Sequence, residues 1–304
     1  PAERIREMQR NLIRSHASGV GGALPEDVVR GMMVILAASL ARGRSGVRVE
    51  TVEGVVAALN AGVTPVVPEV GSVGASGDLA PLAHVALALM GEGEAWWKGR
   101  RVSAADALQQ AGLRALELDS KEGLALINGT HLMASQGALL MADWKGLWDA
   151  VLCACAMSID AARATDAFLD ARVYEVRAQP GPGLVAERLR GMLQGSQVLT
   201  AHEENDPRVQ DPYSFRCAPM VLGAAWDAME HVRSCIEREL GAVTDNPLIF
   251  PSGGDEPIVV SAGCFHGMPV AIPLDMAAIA LSHVAGISER RVYHMLSATD
   301  PQSL

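Results

Sequence analysis

The chain has 304 residues, of which 49% are hydrophobic and 4% aromatic, and its formal net charge is −10. This length and apolar content are sufficient for a sizeable core in one or two domains. The acidic balance offers no basic stripe to neutralise phosphates, which argues against nucleic acid as a partner. The five cysteines form no CxxC pair, which argues against a disulfide framework or a zinc site, and a reducing cytoplasm is expected.

Short helices are predicted in the first third of the chain. Apolar periodicity indicates helices over residues 3–16, from Pro25 to about Arg42, over 52–61, and from Asp78 onward. Glycines and prolines between these segments predict loops. Further on, residues 96–102 could form a hairpin, with Ser103 capping a brief helix.

Long helices are predicted in the remainder. Apolar residues recur at helical spacing over 131–178, 219–243 and 270–297, well beyond the average helix length. The prediction is an all-α fold built on a long-helix bundle, with residues 1–130 as an N-terminal part and 131–304 as the central bundle. Helices this long and apolar exceed what one chain can cover, so a homo-oligomer is expected. No signal peptide or membrane-spanning segment is identified, since the apolar stretch 79–90 is short for a span.

The triad Ala75-Ser76-Gly77 lies on the loop before the helix that starts near Asp78. If a tight turn brings the Gly77 amide nitrogen onto the Ala75 carbonyl carbon, a ring closes, and loss of two waters leaves a methylidene-imidazolone. Gly77 offers an unhindered nucleophile, and Ser76 supplies the hydroxyl that is eliminated. Asp78 could hold the ring or help to dehydrate it. The chain can therefore form its own electrophile, a 4-methylidene-imidazol-5-one (MIO) group, autocatalytically and without an external cofactor.

The same glycine-rich segment could instead be an ordinary loop or a weak phosphate cradle. The phosphate interpretation is disfavoured because a Gly-Lys-Ser/Thr ending is missing. Two prolines, Pro65 and Pro68, also make the preceding segment a poor strand for a phosphate-binding βαβ unit.

Four blocks of this sequence resemble the aromatic amino acid ammonia-lyase family, in the family's order. They are 71–84 (GSVGASGDLAPLAH), 121–130 (KEGLALINGT), 209–217 (VQDPYSFRC) and 244–248 (TDNPL). The resemblance covers essentially the whole chain. It implies a helical fold of the ammonia-lyase and fumarase-like type, a carbon-nitrogen lyase activity, and a homotetramer whose active sites combine residues from more than one subunit.

The resemblance also implies that both ends of the family architecture are missing from residues 1–304. Family members carry a tyrosine-bearing loop upstream of the position of Pro1, and a C-terminal helical region with a substrate-contacting glutamate. An inactive oligomeric helical scaffold is therefore an alternative function for this chain.

The block 209–217 contains three candidate site residues. Tyr213, stiffened by Pro212, suits proton transfer or hydrogen bonding, and the Arg216 fork suits a substrate carboxylate, with Gln210 of the same block also binding substrate. Without the resemblance, a surface loop with an ordinary ion pair would explain the Arg216 segment equally well.

Two further substrate-binding residues come from the resemblance. Asn128 would contact the substrate amine or carboxylate, although Asn128-Gly129-Thr130 is also formally a glycosylation sequon. Phe265 would pack beside the electrophile. Its block departs from the family's Gly-Asn-Phe-His-Gly, because Cys264 stands where asparagine is usual, and a thiol is a poor hydrogen-bond donor.

Ser15-His16 at the end of the first helix bears on the substrate. A lone histidine there is commonly just a favourable partner of the helix dipole. In the family, however, Ser-His resembles the histidine-specific members, whereas Phe-Leu or His-Leu marks phenylalanine or tyrosine lyases. The resemblance implies that L-histidine is converted to trans-urocanate and ammonia, with His16 seating the imidazole and Ser15 supporting it. A phenylalanine or tyrosine ammonia-lyase or an aminomutase is the alternative.

Two other polar clusters are assigned no catalytic or metal-binding role. The acidic run 203–206 and scattered histidines such as His202 show no helical His pair, so no metal site is predicted. Residues 288–291 are interpreted as a helix surface or a subunit contact.

Overall fold

The computed structural model describes residues 2–201, 208–254 and 256–297. Within them the chain is predominantly helical, and its strands are two to four residues long. The predicted all-α class is confirmed. By contacts the chain divides into two compact units, Pro1–Leu139 with Cys235–Ile272 and Leu140–Ser234 with Pro273–Leu304.

Six short helices lie in the first unit: α1 Ala2–His16, α2 Glu26–Ala41, α3 Val49–Ala61, α4 Leu79–Leu89, α5 Ala104–Gln110 and α6 Glu122–Ile127. The helices predicted from periodicity in this part are confirmed, and α6 was not predicted. Helix α1 packs on both α4 and α6, which also pack on each other. This packing brings together the ends of the three segments that carry His16, Asp78 and Asn128.

The strands pair in three small antiparallel groups: β1 Val20–Ala23 with β3 Pro68–Val70, β2 Thr64–Pro65 with β4 Glu94–Trp97 and β5 Arg100–Ser103, and β6 Leu248–Phe250 with β7 Ile258–Val260. The β4–β5 pair is the predicted hairpin, and the Ser103 side chain accepts from the Asp106 amide as a cap. The glycine-rich residues between α1 and α2 were expected to form a loop, but they include strand β1. The strand forms because it pairs with β3, 45 or more residues away in the chain.

The remaining helices are α7 His131–Ala161, α8 Ala171–Arg177, α9 Pro180–Leu193, α10 Gln197–Ala201, α11 Tyr213–Arg216, α12 Ala218–Leu240 and α13 Met268–Leu296. The boundaries between the two units fall within α7, α12 and α13. Trp144, Trp148 and Trp226 stack in the second unit, with centroid separations of 5.3 and 4.9 Å.

The prediction of one helix over 131–178 is wrong. Helix α7 ends at Ala161, and Arg163 adopts a left-handed φ of +50°. The turn is held by Asp211, whose carboxylate accepts from both the backbone amide and the hydroxyl of Thr165, at 2.9 and 2.8 Å. A contact with a residue 46 positions away thus overrides the local helical periodicity.

Helix α13 is the single described helix that is long and apolar enough to cross a membrane, by length and composition alone. Core helices of helical bundles meet the same criteria. The sequence prediction of no membrane span therefore stays a prediction.

Candidate active site

The triad Ala75-Ser76-Gly77 lies on a tight turn ahead of α4. Residues 74–76 form one turn of 3₁₀ helix, and the Gly77 amide donates to the Gly74 carbonyl at 2.9 Å. Gly77 has φ +98°, in the region that favours glycine. A Cβ on Gly77 would stand 3.2 Å from the Gly129 carbonyl oxygen and 3.3 Å from that of Phe265. Only glycine fits this position without strain.

Asp78 anchors the triad from its C-terminal side. Its side chain is fully buried. One carboxylate oxygen accepts from the Ser72 hydroxyl at 2.7 Å, and the other accepts from the amides of Leu132 and Met133 at 2.8 and 3.1 Å. Asp78 therefore caps the N-terminus of α7 rather than that of its own helix. Burial raises the pKa of the Asp78 carboxyl, against these hydrogen bonds, which lower it.

Two backbone contacts hold the triad from outside. The Asp78 amide donates to the Gly129 carbonyl at 2.8 Å, and the Gly267 amide donates to the Ala75 carbonyl at 2.8 Å. Gly129 follows Asn128 in the chain, and Gly267 follows Phe265 by two residues. These bonds bring together the predicted Asn128 and Phe265 segments at the triad. Phe265 is half-buried, and Cys264 is exposed in the same turn.

Asn128 lies at the C-terminal end of α6 and is buried. Its Nδ2 donates to a carboxylate oxygen of Asp245 at 3.1 Å and to the backbone carbonyl of Asn246 at 3.2 Å. Asp245 also accepts from Lys121 Nζ at 2.5 Å. Lys121 and Asp245 lie in two of the blocks that resemble the family, but the sequence predicts no role for either. The separation of 124 positions between them gave no signal that they would meet.

Helix α6 begins at a second buried carboxylate. Glu122 accepts five hydrogen bonds, from three donors of Arg48, the Thr51 hydroxyl and the Asp119 amide, at 2.7–3.0 Å. Burial alone would raise the pKa of Glu122, but these donors outweigh it and lower the pKa to about 2. Glu122 thus fixes the start of the helix whose other end presents Asn128.

His16 ends α1, as predicted. Its Nδ1 lies 2.9 Å from the Leu12 carbonyl oxygen and 3.0 Å from the Ser15 hydroxyl, so Ser15 helps to set the ring orientation. Three residues on, the Gly19 amide donates to His84 Nε2 of α4 at 3.1 Å. A Cβ on Gly71, where the triad loop begins, would stand 3.3 Å from the Gly19 Cα. The segment that follows α1 is therefore packed against the start of the triad loop.

His131 was not singled out from the sequence, yet it is buried next to Gly129. A Cβ on Gly129 would stand 2.3 Å from His131 Cε1 and 2.5 Å from Thr244 Oγ1. Neither ring nitrogen of His131 has a hydrogen-bond partner among the described residues. Burial lowers the pKa of His131 to about 4, which keeps the imidazole neutral.

The predicted residues Gln210, Tyr213 and Arg216 lie in the second unit, whereas all the others lie in the first. Tyr213 is 73% exposed, and the Arg216 guanidinium stands over its ring, 4.4 Å from the centroid. Arg216 Nε donates to the Asp211 carbonyl at 2.8 Å. No carboxylate of a described residue pairs with Arg216, so its remaining N–H groups are available. Gln210 is exposed in the bend before this segment.

The interpretation of residues 288–291 as a surface is wrong for Arg291. Glu289 and Arg290 are exposed, but Arg291 is 2% exposed. It donates to the Ser214 carbonyl at 3.4 Å and to the Ser288 hydroxyl at 3.1 Å. Arg291 thereby supports α11, the short helix that carries Tyr213 and Arg216.

The acidic run 203–206 and His202 lie outside the described residues. In the part of the chain that the structure describes, no group of three histidine, cysteine, aspartate or glutamate side chains is placed to hold a metal ion.

Comparison with known proteins identifies one family along nearly the whole chain. The family model described as aromatic amino acid lyase matches residues 1–302. Among curated relatives, the histidine ammonia-lyases of Natranaerobius thermophilus and Symbiobacterium thermophilum are 45% and 49% identical over 97% of this chain. The chain spans 57% of the length of each of these relatives.

Solved structures give the same family with a range of named activities. Histidine ammonia-lyase from Trypanosoma cruzi is 39% identical, with a TM-score of 0.88, over 98% of this chain and 56% of that one. The phenylalanine aminomutase of Pantoea agglomerans is 32% identical, with a TM-score of 0.91, over 100% of this chain and 61% of that one. The chain has the helical ammonia-lyase fold and belongs to the aromatic amino acid lyase family.

Proposed function

We propose that the protein containing this chain is a histidine ammonia-lyase, which converts L-histidine to trans-urocanate and ammonia. The observation that carries the proposal is the similarity, at 45–49% identity along nearly the whole chain, to curated relatives of that name. The Ser15-His16 pair supports the same substrate, because it resembles the pair of the histidine-specific members, and Gly19, three residues on, contacts the start of the triad loop.

The residues present fit an MIO group formed from Ala75-Ser76-Gly77. Gly77 has a positive φ and lies between two carbonyl oxygens, so a residue without a side chain, as ring closure favours, is required there. Ser76 is exposed, so its hydroxyl can leave as water. Asp78, Gly129 and Gly267 would hold the group through the bonds that brace the triad. When formed, the group supplies an electrophilic carbon that activates the substrate's amine for departure.

Residues of this chain would bind and orient the substrate, in active sites to which more than one subunit contributes. The free N–H groups of Arg216 would clamp its carboxylate in parallel hydrogen bonds. His16 would seat the imidazole, and Phe265 would pack beside the reacting carbon. Tyr213, steadied by the Arg216 guanidinium, would hold or move a proton at its hydroxyl as the β-proton is lost. Gln210 would add a polar contact.

We also propose that the protein is a homotetramer of the cytoplasm, with active sites that combine residues from more than one subunit. Support comes from apolar side chains of α13 that are exposed within the single chain. Met276, Ile279 and Leu296 are 36%, 62% and 82% exposed in the second unit. Burying such side chains against sister chains would be favourable.

The test is turnover of L-histidine, followed by the appearance of urocanate, for this chain and for the full-length protein. L-Phenylalanine and L-tyrosine serve as competing substrates. Selective histidine turnover by the full-length protein supports the proposal, whereas turnover of phenylalanine or tyrosine alone would favour the sister lyases or aminomutases.

The substitution of Ser15-His16 by Phe-Leu tests the substrate assignment directly. It should cut histidine turnover, and unchanged histidine turnover would contradict the role of the pair. Activity confined to the full-length protein would make this chain alone an inactive scaffold.

A further inference from the structure

Two separate sequence blocks meet at the side chain of Asn128. Its Nδ2 donates to Asp245 Oδ1 at 3.1 Å and to the Asn246 carbonyl at 3.2 Å. An ionised carboxylate and a backbone carbonyl can only accept hydrogen bonds. The nitrogen of the Asn128 amide must therefore face them, and this assignment follows from the partners rather than from the similar shapes of the two ends of the amide.

Asp245 is itself held firmly. Its side chain is 2% exposed, and Lys121 Nζ donates to Oδ2 at 2.5 Å. The Asn246 amide donates to Oδ1 at 2.6 Å, on the same oxygen that Asn128 contacts. The ammonium of Lys121 compensates the buried negative charge, so that Asp245 remains an acceptor. The carboxylate thus presents Oδ1 to Asn128 in one fixed direction.

The other polar atom of the Asn128 amide, its oxygen Oδ1, is available to accept a hydrogen bond. No described residue donates to Asn128 Oδ1. This oxygen is an acceptor, so the group it complements is a donor such as a substrate ammonium or amine. If the amide were reversed, its NH₂ group would face that donor and the contact would be repulsive.

We infer that Asp245, held by Lys121, is a positioning residue that fixes the direction of the Asn128 amide and so selects an amine-bearing substrate. The inference rests on the proposed function and deepens it. Asp245 contacts Asn128 and is 2% exposed, so its effect on recognition of the amine would act through Asn128.

The test compares two ligands of the full-length protein that differ only in the amine. L-Histidine carries it, and 3-(imidazol-4-yl)propionate, used as a competitive inhibitor, lacks it. The variant Asp245→Asn can offer Asn128 either an oxygen or an NH₂ group. Of the two acceptors of Asn128, only the Asn246 carbonyl then remains fixed, so the amide can turn more readily. We expect the KM for L-histidine to rise about tenfold, which corresponds to one lost charge-assisted hydrogen bond, while the inhibition constant of the propionate stays within about twofold.

Asp106→Asn, on the distant helix α5, makes the same chemical change and should shift neither constant. Both constants are independent of the fraction of active protein, so partial misfolding does not mimic the result. A purely structural role of Asp245 would weaken both ligands equally, and that outcome would overturn the inference. So would an Asp245→Asn variant in which neither constant changes.

Two further variants keep the test decisive. In Asn128→Ala, which has no amide to turn, adding Asp245→Asn should not change the ratio of the two constants, and a further change would contradict the inference. If Asp245→Asn does not fold, Lys121→Gln should shift the ratio in the same direction by a smaller factor, and an unchanged ratio there would overturn it.

A failed substrate assignment is recognised separately. If the unmodified protein turns over another aromatic amino acid, the comparison uses that amino acid and its desamino analogue. The proposed function then fails, while the role of Asp245 is still decided by the ratio.

Discussion

Replacing Glu122 by glutamine should destabilise the protein strongly at neutral pH. Glu122→Gln keeps the size of the side chain but removes its charge and turns one acceptor into an NH₂ group. That group would meet a donor of Arg48 or the amide of Asp119. Each carboxylate oxygen of Glu122 accepts from at least two donors, so the loss of either oxygen removes more than one ordinary hydrogen bond.

The magnitude follows from the pKa. A fall in the pKa of Glu122 from 4.5 to about 2 corresponds to about 3.4 kcal/mol of preference for the ionised form in the folded state. Glu122 itself is buried, but the side chain of Arg48 is 43% exposed, so solvent screens part of the interaction. We expect Glu122→Gln to lower the free energy of unfolding by about 2–3 kcal/mol at pH 7.

The loss should depend on pH in one direction. Because the pKa of Glu122 is lower in the folded state, its contribution is fully present above pH 4.5, its unfolded pKa, and is lost as the pH falls through about 2. Urea unfolding of the wild type and the variant at pH 7, 5, 4 and 3 measures the difference. The two curves should converge between pH 4.5 and 2.

Glu117→Gln is the matched control, since that side chain is 73% exposed and pairs with an exposed arginine. It should change the free energy of unfolding by less than about 0.5 kcal/mol. A Glu122→Gln variant as stable as the wild type at pH 7, or a difference that does not shrink at low pH, would contradict this stabilising role of Glu122.

Three further changes have distinct expected results. Ser76→Ala should abolish ring formation and histidine turnover. It should change the free energy of unfolding by less than about 0.5 kcal/mol, because the Ser76 side chain is exposed. Calorimetry and an activity assay check both expectations, and an active variant would contradict the first. His131→Leu removes an imidazole whose pKa is lowered to about 4 in the folded state. The wild type should lose stability as the pH falls from 6.5 to 4, so the stability of the variant relative to the wild type should rise by up to about 3 kcal/mol. A pH-independent difference in urea unfolding would argue against a buried neutral imidazole. Gly129→Ala should cost about 2–4 kcal/mol in urea unfolding, since its Cβ would stand 2.3 Å from His131 Cε1, and a fully stable variant would show that this space is open.

The helices near the triad could be predicted because their signals are local. Pro25 with the acidic residues after it marks the start of α2, and Gly62 ends α3 in a left-handed conformation. The triad, Asn128 and Phe265 could be identified as site residues from their motifs. Their roles remain predictions, although the structure brings their segments together around the triad.

The parts that sequence reasoning missed depend on contacts between distant positions. Strand β1 is glycine-rich and forms only because β3 pairs with it. Helix α7 stops where Asp211 holds Thr165. The bond between Lys121 and Asp245 spans 124 positions, and no local periodicity encodes it. Local pattern predicts elements and motifs, whereas the buried polar network that orients them requires the folded chain.

The most direct test of the central claim is the mass of the peptide that contains Ala75-Ser76-Gly77, isolated from the purified protein. Ring closure and dehydration remove two waters, so the peptide should be lighter than the encoded peptide by two waters, and the Ser76→Ala peptide should have its full encoded mass. A peptide of full encoded mass from the full-length protein would contradict the claim that this turn forms the electrophile.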